Sequence, residues 1–226
     1  MRLFSPNFQL EGPGVEKNEP TKTGLSLFFQ LFALRFWDML KLNIIFIIYC
    51  IPIVTIGPAL GALTSITMSM VRNKHIYIFS DFHESFKTNW KQSFIFSFII
   101  SLIFAVLYYS TLFYFKLSQQ NHIFYTVFFF CIFITVILGL ACLYIFPVLT
   151  TISLSIKDVF KNSIFLSIVC LKNTLLGALV YGFILILNLL FFPLTIPLLF
   201  IFTFSILSFI SSFTSWPGIK KFIIKD

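Results

Sequence analysis

Charge is what this sequence has least of. Aspartate, glutamate, lysine and arginine make up 11% of its 226 residues, while 58% are hydrophobic and the mean hydropathy is +0.97. A soluble domain carries about a quarter charged residues, so the composition excludes an ordinary soluble protein. The eight acidic residues, Glu11, Glu16, Glu19, Asp38, Asp81, Glu84, Asp158 and Asp226, all lie outside the long apolar runs. No carboxylate is therefore expected inside a membrane to relay protons or hold sodium, which argues against a proton-coupled pump. His75, His83 and His122 sit in loops, and no His-Glu-x-x-His, Gly-x-Ser-x-Gly or phosphate-loop pattern occurs. Cys50, Cys131, Cys142 and Cys170 are scattered singly without Cys-x-x-Cys spacing, and read as small buried hydrophobes. No enzyme, no cofactor and no metal site is expected. Residues 1–24 are polar, contain Pro6, Pro13 and Pro20, and lack the apolar core of a signal peptide, so they read as a flexible polar tail.

What the chain does have is uninterrupted apolar sequence. Charge-free runs cover about residues 42–71, 92–115, 123–156 and 173–219, and "FFPLTIP" divides the last into two. The fold class that follows is all-α, a polytopic helical membrane protein with five to six membrane segments in one domain, residues 25–226. The segments are placed at about 36–51, 58–71, 92–115, 123–149, 173–192 and 195–214. Ahead of them, Leu25, Phe28, Phe29, Phe32, Phe36 and Met39 recur at helical spacing between polar residues, predicting an amphipathic interfacial helix over 25–41.

The basic residues report topology. Arg72, Lys74, Lys87 and Lys91, then Lys157, Lys161 and Lys172, then Lys220, Lys221 and Lys225 flank apolar runs, and Lys116 stands alone in "KLSQQNH". They are spread along loops rather than gathered on one face with interleaved aromatics, so the formal net charge of +8 does not point to nucleic acid. The positive-inside rule puts the first three groups in the cytoplasm and Lys116 outside. Arg2, Lys17, Lys22, Arg35 and Lys41 precede the first run. If that run crosses once they are outside; if it turns back they join the cytoplasmic set and only Lys116 is left out. Charge favours the hairpin, with both termini inside.

The first run also contains a reason to turn. In "CIPIVTIGPALGALTSITM", residues 50–68, Pro52 lacks an N–H, Gly57 permits positive φ, and Pro58 suits the first turn of a helix. Thr55 is placed to satisfy a freed backbone group. Gly57, Ala59, Gly61, Ala62 and Ser65 offer a small-residue face to which another helix can come close. The break and possible interaction site is thus Pro52, Thr55, Gly57, Pro58 and Gly61, and a purely architectural role is the plainer reading.

Farther on, Asp81 followed by Glu84 resembles a capping box, and Phe82, Phe86, Trp90 and Phe94 form an aromatic stripe at four-residue spacing. This predicts a cytoplasmic interfacial helix feeding the next span. Asp81, His83 and Glu84 more often cap a helix and face water than bind metal. The 33 phenylalanines read as lipid-facing filler and interface anchors. Asn43 and Asn188 are candidates for hydrogen bonds between helices.

"IPIVTIGPALGAL" followed by "MVRNKHIYIFSDFHESFKTNWKQ" resembles the signature of the YesL family of bacterial integral membrane proteins, over residues 35 to about 215. The resemblance implies a multi-pass protein of the bacterial plasma membrane linked to carbohydrate uptake, because such proteins are commonly encoded beside sugar ABC transporters. It supplies no catalytic residues. Two functions are then expected to compete. One is a non-catalytic accessory or regulatory component whose partners are the lipid bilayer and ABC-transporter permease subunits. The other is a channel or facilitator for a neutral solute, lined by Thr64, Ser65, Thr67, Ser69, Ser153 and Ser155.

Overall fold

The computed structural model describes residues 24–152 and 154–224. The expected polar tail, apart from Gly24, lies outside the described residues, as do Ser153 and Lys225. Among the described residues there is no strand. Seven helices are α1 (Leu25–Leu34), α2 (Phe36–Cys50), α3 (Ile56–Val71), α4 (Ile78–Ser118), α5 (Phe124–Thr151), α6 (Ile156–Val169) and α7 (Leu171–Leu190). A C-terminal helix over Ile196–Ile224 follows them. It contains two stretches of wider π-turn, at Leu199–Thr203 and Lys220–Ile224.

Five helical stretches are long and apolar enough to cross a membrane: Ile53–Val71, Ile78–Ser118, Phe124–Thr151, Leu171–Leu190 and Ile196–Ile224. The all-α, multi-span class expected from the apolar runs is therefore observed. Large apolar side chains such as Leu102, Phe113, Phe133, Leu179 and Phe183 remain exposed on the outside of the bundle. In water such a surface would aggregate; against hydrocarbon it is the appropriate solvent-facing layer.

Three local predictions need correction. The amphipathic stretch 25–41 is not one helix: the chain breaks at Arg35, with φ −104° and ψ 11°, and α2 begins afresh at Phe36. Nor does α1 lie alone, since Phe28 packs on Phe209 and Phe213, and Phe32 on Phe202. The "interfacial" helix at Asp81 and the following span are one unbroken helix of 41 residues, α4, because no proline or glycine interrupts it. At 1.5 Å per residue it is about 60 Å long, twice the roughly 30 Å hydrocarbon core. Finally, the basic stretch after residue 156 is itself a helix, α6. Ser155 caps it by accepting from the Asp158 N–H, and its buried Val159, Ser163 and Leu166 face the bundle.

The core is built around α3. Twelve of its sixteen residues are buried, against α4 on one side and the C-terminal helix on another. Met39, Leu42 and Phe46 of α2 close one cluster with Leu63, Ile66 and Phe209, while Tyr144, Ile145 and Val148 of α5 close a second with Met68 and Phe96.

Candidate functional site: a broken hairpin against a serine-lined helix

The break expected at residues 52–58 is a short 3-10 turn, Ile53–Thr55, between α2 and α3. Pro52 enters it in extended backbone, and Thr55 Oγ1 lies 2.6 Å from both the Tyr49 and the Pro52 carbonyl oxygens. The threonine thus does what its position predicted, covering carbonyls that the lost helical turn leaves free. Ile51, Ile53 and Val54 point outward with 76%, 82% and 60% of their surface exposed, so the tip is wholly apolar.

Gly57 has a different task from the one predicted. It lies inside α3, and among the described residues only Gly24 is a glycine with positive φ. A Cβ at Gly57 would come 2.5 Å from Ser97 Oγ, and one at Gly61 would collide with Ser93 Oγ. Gly57 and Gly61, one turn apart on α3, therefore receive Ser97 and Ser93, one turn apart on α4. This is the small-residue contact that lets two helices in lipid gain van der Waals packing. The helix that the small face was expected to attract is α4 of the same chain, so the face around Gly61 is already covered. Pro58 sits in the first turn of α3, where its missing N–H costs no intrahelical bond.

The two ends of the hairpin meet. Arg35, just before α2, donates to the Lys74 carbonyl at 3.0 Å and to Asn73 Oδ1 at 3.5 Å, just after α3. It also pairs with Asp38 at 3.4 Å. Chain entry and chain exit of the 36–71 unit consequently lie at one end. Taken alone, α2 and α3, of 15 and 16 residues, reach about 22–24 Å, and only with the 3-10 turn added does the second arm attain spanning length.

Of the two asparagines, Asn43 alone joins separate helices. Its amide donates to the Leu199 carbonyl at 3.1 Å and the Phe200 carbonyl at 2.7 Å, and its Oδ1 accepts from the Ser205 N–H at 3.0 Å. The two carbonyls belong to the first π-turn of the C-terminal helix and the Ser205 N–H lies just beyond it, where the wider winding disturbs the normal ladder. Fully buried Asn43 thus completes a backbone defect on its neighbour. Asn188 instead donates within its own helix, to Ile184 O at 2.8 Å.

Beyond the π-turn the C-terminal helix presents Ser205, Ser208, Ser212 and Ser215 on one buried face. Thr67 Oγ1 lies 2.9 Å from Ser208 Oγ and 2.8 Å from Ser212 Oγ, and Ser208 donates to Thr64 at 3.4 Å. Ser211, to one side, donates to the Leu143 carbonyl at 2.6 Å. Sequence reasoning missed this stripe, although spacings of three, four and three residues in "SILSFISSFTS" mark one helical face. It also changes the expected solute lining: Thr67 is locked in this cluster, and Ser155 is the cap of α6.

At the other end of α4 the aromatic stripe divides. Phe82 is fully buried and, with Phe86, packs on Tyr49, whose hydroxyl lies 2.6 Å from His83 Nδ1. Trp90 stacks on Phe94 at 5.7 Å, on the outward side. Asp81 is not the N-cap that the sequence predicted: Tyr77 holds that position, four residues earlier, α4 starts at Ile78, and the Asp81 carboxylate reaches back from inside the first turn to accept the Tyr77 N–H at 2.9 Å. Glu84 is not its partner in that arrangement. At the α6–α7 junction, burial pushes the Cys170 thiol up, against the opposing pull of the Lys221 charge.

A family model described as "Protein of unknown function, DUF624" matches residues 39–111. The match takes in α2 from Met39, the turn, all of α3 and most of α4, the part of the chain in which the Gly57–Ser97 and Gly61–Ser93 contacts lie. No curated protein and no solved structure matches the chain.

Proposed function

We propose that this chain is a non-catalytic accessory or regulatory component of a bacterial cell membrane, a YesL-family protein that works by holding a partner. The partner class is a permease subunit of a carbohydrate ABC transporter, and both termini are cytoplasmic. The observation that carries the reading is the excess length of α4. About half of its 60 Å lies beyond what a bilayer core requires. Its first turns carry exposed His83, Glu84, Lys87 and Lys91, anchored to the hairpin through Phe82 and Phe86. A rigid, charged extension held by the core is a surface that a neighbouring membrane complex can grip. The distribution of Lys and Arg and the meeting of Arg35 with Lys74 support the cytoplasmic placement of that end.

A photo-crosslinking amino acid at Lys87, in sugar-grown cells, tests the reading. Covalent recovery of a permease subunit is expected. If no transporter component is recovered and the purified protein alone moves sugars across liposomes, the accessory role fails and the neutral-solute facilitator replaces it.

A further inference from the structure

The bundle holds a cavity of about 440 Å³ between α3, α5, α7 and the C-terminal helix, at mid-length of all four. That is within the 300–1,000 Å³ range of small-molecule sites. Its wall is mostly apolar, and no charged residue lines it. Four hydroxyls interrupt the apolar wall: those of Thr64, Ser208, Ser211 and Tyr181. Three of these have partners within the protein. Tyr181, within electrostatic reach of Cys142 on the same wall, makes no hydrogen bond among the described residues. A phenol in an apolar wall without a hydrogen-bond partner forgoes a bond that a bound molecule can restore.

The way in is through lipid. Val136 and Gly139, which line the cavity, are also exposed on the outer face of α5. Across from them stands Gly182 of α7, and neither glycine has any atom within 4 Å of where a Cβ would lie. The surface around this gap, with Phe133, Leu179 and Phe183, is exposed and apolar. A molecule that reaches it is dissolved in the bilayer. We propose that this cavity binds an uncharged, long-chain amphiphile from the membrane, its chain among the leucines and its hydroxyl or carbonyl oxygen at Tyr181. This inference stands apart from the accessory role, since it requires no protein partner.

The full-length protein in phosphatidylcholine nanodiscs is the test, with three probes bearing the same diazirine: a sixteen-carbon alcohol, the matching alkane and the matching carboxylate. The alcohol is expected to label peptides containing Val136–Phe146 and Ala178–Gly182, several-fold above the other two probes. The double variant Gly139→Leu/Gly182→Leu fills the mouth in open space and is expected to lower that labelling about tenfold, with the melting temperature unchanged. Tyr181→Phe removes only the phenol, and is expected to cut alcohol labelling about three- to tenfold while leaving alkane labelling as it was; it decides the matter if the glycine variant misfolds. Equal labelling by alcohol and alkane, labelling indifferent to Tyr181→Phe, or no label on these peptides overturns the proposal.

Discussion

The stretch Ile53–Val71 and the helix α7 are of nearly equal length and both apolar enough to cross a membrane, yet 61% of the first is buried in the protein and only 11% of the second. Hydropathy does not separate them. Residue size and hydroxyl content do. The first stretch carries Gly57, Ala59, Gly61, Ala62, Thr64 and Thr67, whereas most of α7 is leucine, isoleucine, valine and phenylalanine. In hydrocarbon, a leucine gains little by leaving lipid for protein, since both surroundings are apolar. Close backbone approach and hydrogen bonds between helices decide which span goes to the centre.

The contrast can be broken most severely at Gly61. Gly61→Leu drives a side chain into Ser93 on α4, and the expected cost is about 3 kcal/mol or more, read as loss of the folded fraction in a detergent-stability assay. The same replacement at Gly182 of α7 meets open space. Should the two variants melt alike, close packing is not what centres α3.

A smaller loss is expected from Asn43→Leu, which strips the Leu199 and Phe200 carbonyls and the Ser205 N–H of their partner at once. Roughly 1–3 kcal/mol is expected, measured by equilibrium unfolding in mixed micelles. Asn188→Leu gives up only a bond within its own helix and is expected to cost less. A reversed order would mean that the π-turn is satisfied in some other way.

Thr67→Val keeps shape and removes the hydroxyl shared with Ser208 and Ser212. Hydrogen bonds between membrane helices average about 0.6 kcal/mol, so a shift of that size is expected in the same assay. Gly139→Ala on α5 is expected to cost no stability and to gain up to about 1 kcal/mol from its helical backbone, because nothing stands within 4 Å of the new methyl group. A large loss there would show that α5 and α7 close together in the bilayer.

The same physics explains how much could be read in the sequence. The spans were legible because twenty apolar residues in a row have few alternative fates, and Pro52 with Thr55 announced the turn through backbone chemistry alone. Asn43 was legible as a polar residue seeking a partner. Its partner was not, because a π-turn in "LFIFT" has no compositional mark and is created by packing. Gly57 was misassigned to the turn since a glycine beside two prolines carries the same local signal whether it supplies conformational freedom or room for a neighbour. Only the placement of Ser93 and Ser97, 36 and 40 residues farther along the chain, tells the two apart.

The unbroken course of α4 carries a mechanical consequence. A helix bends sharply at proline, glycine pairs or π-turns, and from Ile78 to Ser118 the described helix has none. It is a lever without a joint. Force applied at Lys87 is not absorbed by a bend in the rod, and passes to the contacts on either side of it, Phe82 and Phe86 on Tyr49 and Ser93 and Ser97 on Gly61 and Gly57. Both sets of contacts lie on the hairpin, so the charged end of α4 and the hairpin are held to each other at two levels of one straight helix.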